Sequence, residues 1–404
     1  MKDDIAVVGL GQISPLGDDL AQAWARLMRG DSAIAELAIP GTASIPAATV
    51  EFDPSPWLTK LQMVGTDRAS QMAYAAARRA MQDAGIESWA DPTRVGVYVG
   101  TGMAGAATMD NAYAALYEGR RIPPSTVPAG MVNAPAAVVA LHAGCRGPVL
   151  TYAVACASSA VAIAEAAHAL RRGDIDVALA GGVEALLVRG TVVAWQAMHT
   201  LAAVHQDPQR SCRPFAADRD GLVLGEGAAF LVLSRERDAR AQGREVYARL
   251  SGSGITCDAR HLTKPDIEGQ VRAMNAALAS AQLRPCDVTY CNPHGTATQV
   301  GDPVECESLR NVWGPDAPRL SVGATKAAHG HLLGAAGALE AIWTVLALHR
   351  REVPPTAGLT TVDPACAGVD HIGPSGRSAP ELRHAISNSF AFGGTNVTLL
   401  FSRP

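Results

Sequence analysis

One stretch of very small side chains restricts the fold of this chain more than any other part of its sequence. Residues 148–155 form a β-type run after Gly147. Residues 158–172 are typical of a helix rich in small side chains, mainly alanine, and this helix stops at Gly173. A helix with so little bulk can lie very close to a sheet or to another helix. This succession of a strand and a slender helix predicts a layered α/β protein.

Apolar strands alternate with helices along the rest of the 404 residues. We expect strands at 5–9, 95–99, 177–182, 228–233, 288–291 and 320–323, and helices at 19–29, 66–84, 269–283 and 333–349, with Thr66 as the N-cap of the second helix. Residues 31–60 contain several prolines and are expected to be irregular and on the surface. A boundary is expected near residue 250, between an N-terminal half at 1–250 and a C-terminal half at 251–404. The sequence itself shows no clean internal repeat.

Composition and charge exclude several classes of protein. The formal net charge is −4 and no long block of lysine or arginine occurs, so we expect neither a nucleic-acid partner nor a membrane partner. No signal peptide and no apolar run that could span a bilayer is evident. The eight cysteines are scattered without a C-x-x-C pair. This pattern predicts a cytoplasmic protein without a disulfide framework or a structural zinc site.

Cys156 lies at the joint between the β-type run and the slender helix. Free backbone N–H groups and the positive end of the helix dipole favour a thiolate at such a position. The thiolate is the nucleophilic form of cysteine, so this is a position for a catalytic cysteine. A small buried apolar residue is the alternative interpretation, because free cysteines are among the most buried residue types.

Three further turns follow predicted strands, as expected for the active site of an α/β protein. The first carries His294, the second runs from Thr325 to His331, and the third is the loop Phe390–Gly394. Glycines flank both histidines and permit close approach of a substrate. His329, His331, Asp302 and Glu305 could suggest a metal site, but their spacing suits no common ligand set, so we predict none.

The order of a cysteine, a distant histidine and a distant asparagine is also that of papain-like hydrolases. The local papain signature around the cysteine is absent, and a second histidine and a lysine would stay unexplained. A cysteine-dependent thioesterase or acyl hydrolase that uses Cys156 and His294 is therefore kept as the alternative function.

Four segments together resemble the β-ketoacyl-acyl-carrier-protein synthases of the thiolase superfamily, of the elongating Cys-His-His type. They occur in family order over nearly the whole chain and comprise the cysteine segment, Asn292–Thr298, Thr325–Gly337 and Asn388–Asn396. The resemblance implies a five-layered αβαβα fold with two similarly folded halves. It also implies a dimer, either of two copies of this chain or with a ketosynthase-like sister subunit.

Within this superfamily the chain differs from several relatives. Thiolases need a second active-site cysteine near the C-terminus, which the segment Gly393–Asn396 lacks. Starter-condensing enzymes resemble Cys-His-Asn, whereas His331 is present here, and chain-length factors lack the nucleophile. At four positions the chain differs from the residue that is more usual in the family, namely Ala157, Ala216, Pro293 and Ala391, and none of these differences removes a catalytic group. They place in doubt an assignment to the housekeeping fatty-acid enzyme rather than to a polyketide or aryl-polyene synthase.

The resemblance also implies a reaction, namely decarboxylative Claisen condensation of an acyl group on Cys156 with malonyl-carrier protein. The backbone N–H groups of Cys156 and Phe392 would form the oxyanion hole. His294 and His331 would donate hydrogen bonds to the malonyl thioester oxygen. Lys326 would form an ion pair with Glu340 beside them.

Further residues are expected to contact the substrate. Thr296 and Thr298, and Thr263 beside them, are expected along the phosphopantetheine arm, and Met103 at the floor of the acyl pocket. In similar enzymes the gating loop Phe390–Gly394 swings its second phenylalanine, here Phe392, away from the cysteine. The Cβ of Ala391 disfavours positive φ, so any hinge is predicted at Gly393 and Gly394. The enzyme itself is expected to bind no cofactor, because the phosphopantetheine belongs to the acyl carrier protein.

Overall fold

The structure is a computed structural model, and it describes residues 4–404. The strands of the first half are β1 (Ile5–Ile13), β2 (Ala35–Leu37), β3 (Ile45–Ala48), β4 (Val95–Gly100), β5 (Val149–Tyr152), β6 (Val177–Glu184), β7 (Leu224–Gly225) and β8 (Gly227–Arg235). Those of the second half are β9 (Ala248–Cys257), β10 (Tyr290–Asn292), β11 (Ser321–Val322), β12 (Glu352–Val353), β13 (Asp370–His371), β14 (Arg377–Ser378), β15 (His384–Phe390) and β16 (Thr395–Ser402).

The helices separate these strands in both halves. They are α1 (Leu20–Arg29), α2 (Lys60–Met63), α3 (Arg68–Asp83), α4 (Ala106–Tyr117), α5 (Thr126–Gly130), α6 (Ala134–Ala143), α7 (Ser158–Arg172), α8 (Arg189–Ala197), α9 (Glu236–Ala241), α10 (Ile267–Ala281), α11 (Gly301–Trp313), α12 (Lys326–His329) and α13 (Ala336–Arg350). Of the described helices, none is long and apolar enough to cross a membrane.

The two halves repeat one topology. In the first half the strands lie in the order β1-β8-β6-β4-β5, and in the second half in the order β9-β16-β15-β10-β11. The pairs β4–β6 and β10–β15 are both parallel, and the pairs β1–β8 and β9–β16 are both antiparallel. Strands β1 and β9 also pair, so the sheets of the two halves are continuous and form one large sheet of eleven strands. The repeat that the sequence does not reveal is therefore clear in the strand order. Residue 250 lies within β9, which begins the second repeat; the domain boundary there stays a prediction.

Five layers result, as the family resemblance implied. Helices α7 and α13 share one core cluster with residues of both sheets, such as Val7 of β1 and Leu399 of β16. Helix α3 packs on the outer face of the first sheet, and α10 and α11 pack on the outer face of the second. The small side chains of α7 are buried almost throughout, which lets this helix lie in the central layer between the sheets.

Two local expectations were wrong. Asp67, not Thr66, caps α3, because its carboxylate accepts the N–H of Ala69 while the Thr66 hydroxyl donates to the carbonyl of Met63 in the preceding turn. The segment 31–60 is not wholly irregular and exposed. Strand β3 is fully buried and pairs with β2 and β7, which covers its backbone groups despite the nearby prolines.

Candidate active site

The predicted site residues come together because strand ends of both halves meet. Cys156 follows β5 in a short 3-10 turn that leads into α7, and His294 follows β10. Lys326 and His331 follow β11, and Phe392 follows β15. The carboxyl ends of parallel strands share one edge of a sheet, and functional groups collect at that edge.

Cys156 and His331 are in direct contact. The Sγ atom of Cys156 lies 3.0 Å from Nε2 of His331, and both residues are buried. Two backbone hydrogen bonds fix His331 against β7. The N–H of His331 donates to the carbonyl of Val223, just before β7, and the carbonyl of His331 accepts the N–H of Gly225 in β7. The ring position relative to the thiol is thus set by a strand of the first half.

The ring of His331 has a defined tautomer. Its Nδ1 accepts the backbone N–H of Leu333 at 3.2 Å, so the proton of the neutral ring is on Nε2. Burial lowers the pKa of His331 well below its ordinary value, and the positive charge of Lys326 lowers it further. A neutral imidazole that points an N–H at the cysteine is therefore a hydrogen-bond donor in this site and not a base.

His294 lies on the other side of this pair. The two imidazole rings meet edge to face, with centroids 5.4 Å apart, and Phe390 lies 6.0 Å from His294 by the same measure. Burial lowers the pKa of His294 well below its ordinary value, and Lys326 adds to this effect. Its Nδ1 is buried without a hydrogen-bond partner in the described structure. His294 is thus a second neutral ring directed at the same space.

The thiol of Cys156 does not have the acidity expected from its position. Burial raises the pKa of Cys156 to about 12, and the negative charges of Glu184 and Glu340 oppose the effect of Lys326. Cys156 lies in the 3-10 turn that leads directly into α7, and burial outweighs any favourable effect of the helix end on its thiolate. Burial therefore favours the thiol form of Cys156 over the thiolate.

The gating loop lies directly against this thiol. The backbone N–H of Phe392 acts on Cys156 as a hydrogen-bond donor. Gly393 and Gly394 have φ values of 87° and 80°, whereas the φ of Ala391 is not positive. The N–H of Ala391 donates to the carbonyl of Thr395, which fixes the start of the turn. Left-handed backbone is therefore confined to the two glycines.

Lys326 and Glu340 form a fully buried ion pair. The Nζ of Lys326 bonds to Oε1 of Glu340, while Oε2 of Glu340 has no partner in the described structure. Burial raises the pKa of Glu340 to about 7, although Lys326 acts to lower it. The pair places a positive charge next to the two histidines.

A cavity of about 560 Å³ opens onto Cys156, His294 and His331. Its wall includes the predicted residues Thr263, Thr296, Thr298, Phe390, Ala391 and Phe392. The hydroxyl oxygens of Thr296 and Thr298 lie 3.1 Å apart. Met103 does not line this cavity; its backbone N–H donates to Glu184, and its side chain is exposed. Its predicted role at the floor of an acyl pocket stays a prediction.

Cys156, His294 and His331 are also close enough together to hold a metal ion. One ligand atom from each of Cys156, His294 and His331 lies within 4.8 Å of the others. Metal binding through Nε2 of neutral His331 would move its proton to Nδ1, which faces the N–H of Leu333. Two donors would then face each other. This contact disfavours the metal-bound form of His331.

The roles of three residues at the site were missed from the sequence, although Glu305 was considered there as a possible metal ligand. Glu184 is fully buried and accepts the backbone N–H groups of Gly102, Met103 and Gly334. Glu305 accepts the N–H groups of His294 and Gly295, each at 2.8 Å. Glu305 therefore holds the turn that carries His294, and Glu184 joins the turn after β4 to the turn that follows His331. Glu184 is the last residue of β6 and Glu305 lies in α11, and nothing in the sequence indicated which N–H groups they bind.

Trp195 is the third residue that the sequence analysis missed. Its indole stacks on Phe392 with centroids 6.1 Å apart and an angle of 25° between the planes. It lies on α8, outside every motif, and lines the same cavity.

A thiolase-like fold with a cysteine and two neutral histidines at one cavity defines the condensing enzymes. Residues 2–239 match the family described as "Beta-ketoacyl synthase, N-terminal domain", and residues 247–360 match "Beta-ketoacyl synthase, C-terminal domain". The chain belongs to the β-ketoacyl synthase family, whose members are acyl-transferring condensing enzymes.

Named relatives and solved structures agree with this assignment. The chain is 39% identical to "Nodulation protein E" of Rhizobium sp. (strain N33), over 99% of both chains. It is 36% identical to "3-oxoacyl-[acyl-carrier-protein] synthase 2" of Staphylococcus aureus (strain COL), over 99% of this chain and 98% of that one. A β-ketoacyl synthase structure from Burkholderia phymatum superposes with a TM-score of 0.93 at 32% identity, over 100% of both chains.

Two further solved structures contain partner proteins. "The ishigamide ketosynthase/chain length factor" superposes with a TM-score of 0.91 at 29% identity, over 100% of both chains. A type II polyketide ketosynthase in complex with its acyl-carrier protein superposes with a TM-score of 0.92 at 27% identity, over 100% of both chains. These similarities support an elongating ketosynthase and not a hydrolase.

Proposed function

We propose that this chain catalyses decarboxylative condensation of an acyl group held on Cys156 with malonyl-acyl-carrier protein. The observation that carries the proposal is the 3.0 Å contact between the Cys156 thiol and an Nε2–H of His331, with His294 on the same cavity. This arrangement supplies one nucleophile and several hydrogen-bond donors.

The first half-reaction is thioester exchange. The Cys156 sulfur attacks the acyl thioester, the bond to the carrier sulfur breaks, and the carrier thiol leaves with the proton that the cysteine thiol gives up. The tetrahedral oxyanion formed on the way is bound by the N–H groups of Cys156 and Phe392. Loss of one such donor typically reduces the rate by roughly 100-fold to 1000-fold.

The second half-reaction forms the carbon–carbon bond. Malonyl-carrier protein loses CO₂ and leaves an enolate whose oxygen accepts hydrogen bonds from His294 and His331. The enolate carbon then attacks the acyl carbonyl, and the Cys156–acyl bond breaks to give the β-ketoacyl-carrier protein and the free cysteine, which regains a proton. Neutral rings suit this role because each keeps one N–H donor and one acceptor.

Lys326 and Glu340 support the histidines. Burial lowers the pKa of both rings, the Lys326 ammonium lowers it further, and Glu340 holds that ammonium in place. Thr296 and Thr298, with Thr263 nearer to the mouth of the cavity, would bind the phosphopantetheine arm. The phosphopantetheine remains part of the carrier protein, and the enzyme contributes no cofactor of its own.

The partners are inferred from relatives and from exposed apolar side chains. Acyl carrier protein is the substrate carrier, and the second subunit is either another copy of this chain or a ketosynthase-like sister. Strand β5 ends the large sheet, and Val149 and Leu150 on it are exposed, as are Tyr113, Leu116 and Tyr117 of α4. An uncovered apolar edge strand of this kind favours pairing with another chain. All eight cysteines are free thiols, which fits a cytoplasmic protein.

Three variants test the assignment of roles. Cys156→Ala is expected to abolish condensation but to retain measurable release of CO₂ from malonyl-carrier protein, because both histidines remain. His294→Ala and His331→Ala are expected to accept acyl groups on Cys156, seen by intact mass, and to lose CO₂ release. Normal CO₂ release in both histidine variants would refute their role. Full condensation by Cys156→Ala would refute the nucleophile, and free acid without CO₂ would support a hydrolase.

A further inference from the structure

The wall of the cavity around Cys156 is unusually rich in flat rings. Aromatic residues make up only 5% of the chain, yet Trp195, Phe390 and Phe392 all line this cavity beside the two imidazoles. Trp195 and Cys156 also belong to one apolar cluster, together with Ala391 and Leu222. An acyl group on Cys156 therefore extends into a space bounded by planar side chains.

The indole face of Trp195 is covered by the ring of Phe392, which lies next to two glycines. Phe392 stacks on it, and Phe392 immediately precedes Gly393 and Gly394, which both have positive φ. The centroid distance of 6.1 Å leaves no room for a third layer between the rings. A chain that is to lie against the indole must take the place of the Phe392 ring, and rotation at the two glycines provides that freedom.

We propose that Trp195 selects acyl chains that are planar over several carbons, such as conjugated dienoyl and aryl-acyl groups, over flexible saturated chains of equal length. The proposal rests on the acyl-enzyme function proposed above. When Phe392 leaves, the indole loses a stacked partner, and a flat conjugated chain restores that contact along its length. A saturated chain restores the apolar contact but not the stacked geometry. Trp195 would thus act as a specificity residue and not as a catalytic one.

The expected change in acyl-chain selectivity can be estimated from the strength of aromatic stacking. A stacked aromatic contact changes an equilibrium or a rate by roughly 2-fold to 10-fold beyond the buried area alone. We expect Trp195→Leu to lower the ratio of dienoyl transfer to saturated transfer by about this factor. Trp195→Phe keeps an aromatic face and is expected to retain most of the ratio.

The test uses hexa-2,4-dienoyl-pantetheine and hexanoyl-pantetheine as matched six-carbon probes. Second-order rate constants for acylation of Cys156 are measured by intact mass for the wild-type protein and for each variant. The intrinsic difference in reactivity of the two thioesters cancels when the rate ratio of a variant is divided by that of the wild-type protein. Val193→Ala is the control, because Val193 lies on the same helix α8, is exposed and does not line the cavity.

The possible results separate this proposal from the function on which it rests. A ratio that falls in Trp195→Leu, but not in Trp195→Phe or in Val193→Ala, supports the proposal. A ratio unchanged in Trp195→Leu overturns it while leaving the acyl-enzyme intact. No acylation of wild-type Cys156 by either probe, or by the same acyl groups on a carrier protein, overturns the proposed function itself. Thermal unfolding checks that each variant is folded, and if Trp195→Leu does not fold, the ratio in Trp195→Ala decides.

Discussion

Replacing Lys326 by methionine should destabilise the protein strongly, because it leaves the carboxylate of Glu340 buried without its partner. Both side chains are almost completely buried, with exposed fractions of 1% for Lys326 and 0% for Glu340. Breaking a buried pair by removing one partner typically lowers the free energy of unfolding by about 3–5 kcal/mol. Glu340 already has a pKa raised to about 7, so it can take up a proton in the variant. We therefore expect a loss near the lower limit, about 3 kcal/mol.

The double variant Lys326→Met/Glu340→Leu provides the decisive comparison. It removes both charges and leaves neither group unpaired, and such replacements of buried pairs are often neutral or stabilising. Equilibrium unfolding in urea is measured for the wild type, for both single variants and for the double variant. The double variant should lose less stability than either single variant. Additive losses, or single losses below about 1 kcal/mol, would refute the view that the pair is a buried and coupled unit.

The same variant has a second, functional readout. Burial lowers the pKa of both His294 and His331, and Lys326 lowers it further, so removal of the lysine should raise both pKa values while burial still holds them below the ordinary range. A protonated His331 would carry Nδ1–H against the N–H of Leu333. We expect the acid limb of malonyl decarboxylation to move to higher pH in Lys326→Met. An unchanged pH profile would mean that the lysine only anchors α13.

Two further predictions concern titration. Burial raises the pKa of Asp302 to about 7. The same carboxyl ionises near pH ~4 in the unfolded chain, so its contribution to stability is complete below that pH and is lost as the pH rises to about 7. Urea titrations give the free energy of unfolding of the wild type and of Asp302→Asn at each pH. The wild-type value minus the variant value should decrease as the pH rises from about 4 to about 7, and a constant difference would contradict this. Alkylation of Cys156 by iodoacetamide, followed by peptide mass spectrometry, should rise roughly tenfold per pH unit beyond pH ~9, because its pKa is raised to about 12. A plateau below about pH 8.5 would show an activated thiolate at rest.

Much of the site could be predicted from the sequence because its reactive residues lie in short turns with their own local chemistry. His294 and His331 are flanked by glycines, and both follow apolar strands that can be read from the sequence alone. The hinge glycines Gly393 and Gly394 were recognisable for the same reason, since left-handed backbone favours glycine. In each case the sequence neighbours set the local geometry.

Properties that depend on distant residues could not be predicted. The acidity of Cys156 was expected to increase from its place before a helix, but enclosure by both halves decides its pKa. The tautomer of His331 depends on one backbone N–H in a turn whose Leu333 has a φ of 45°. The stack of Trp195 on Phe392 joins residues from different halves, which no local pattern reveals. The repeated topology could not be seen in the sequence because the two halves share their strand order but show no clean repeat of residue identity.

Hydrogen-bond donors, and not a base, lie next to the cysteine. A thiol with a pKa of about 12 is a poor resting nucleophile, and the Nε2–H of His331 cannot accept its proton. The buried carboxylates, meanwhile, are directed at backbone N–H groups: Glu184 accepts three of them and Glu305 accepts two. These five N–H groups are occupied, so the donors that face Cys156 itself are the N–H of Phe392 and the Nε2–H of His331, and negative charge that develops there would meet donors held in place before the substrate arrives. Catalysis by this chain would depend on stabilising charge as it forms, which is what both acyl transfer and enolate formation require.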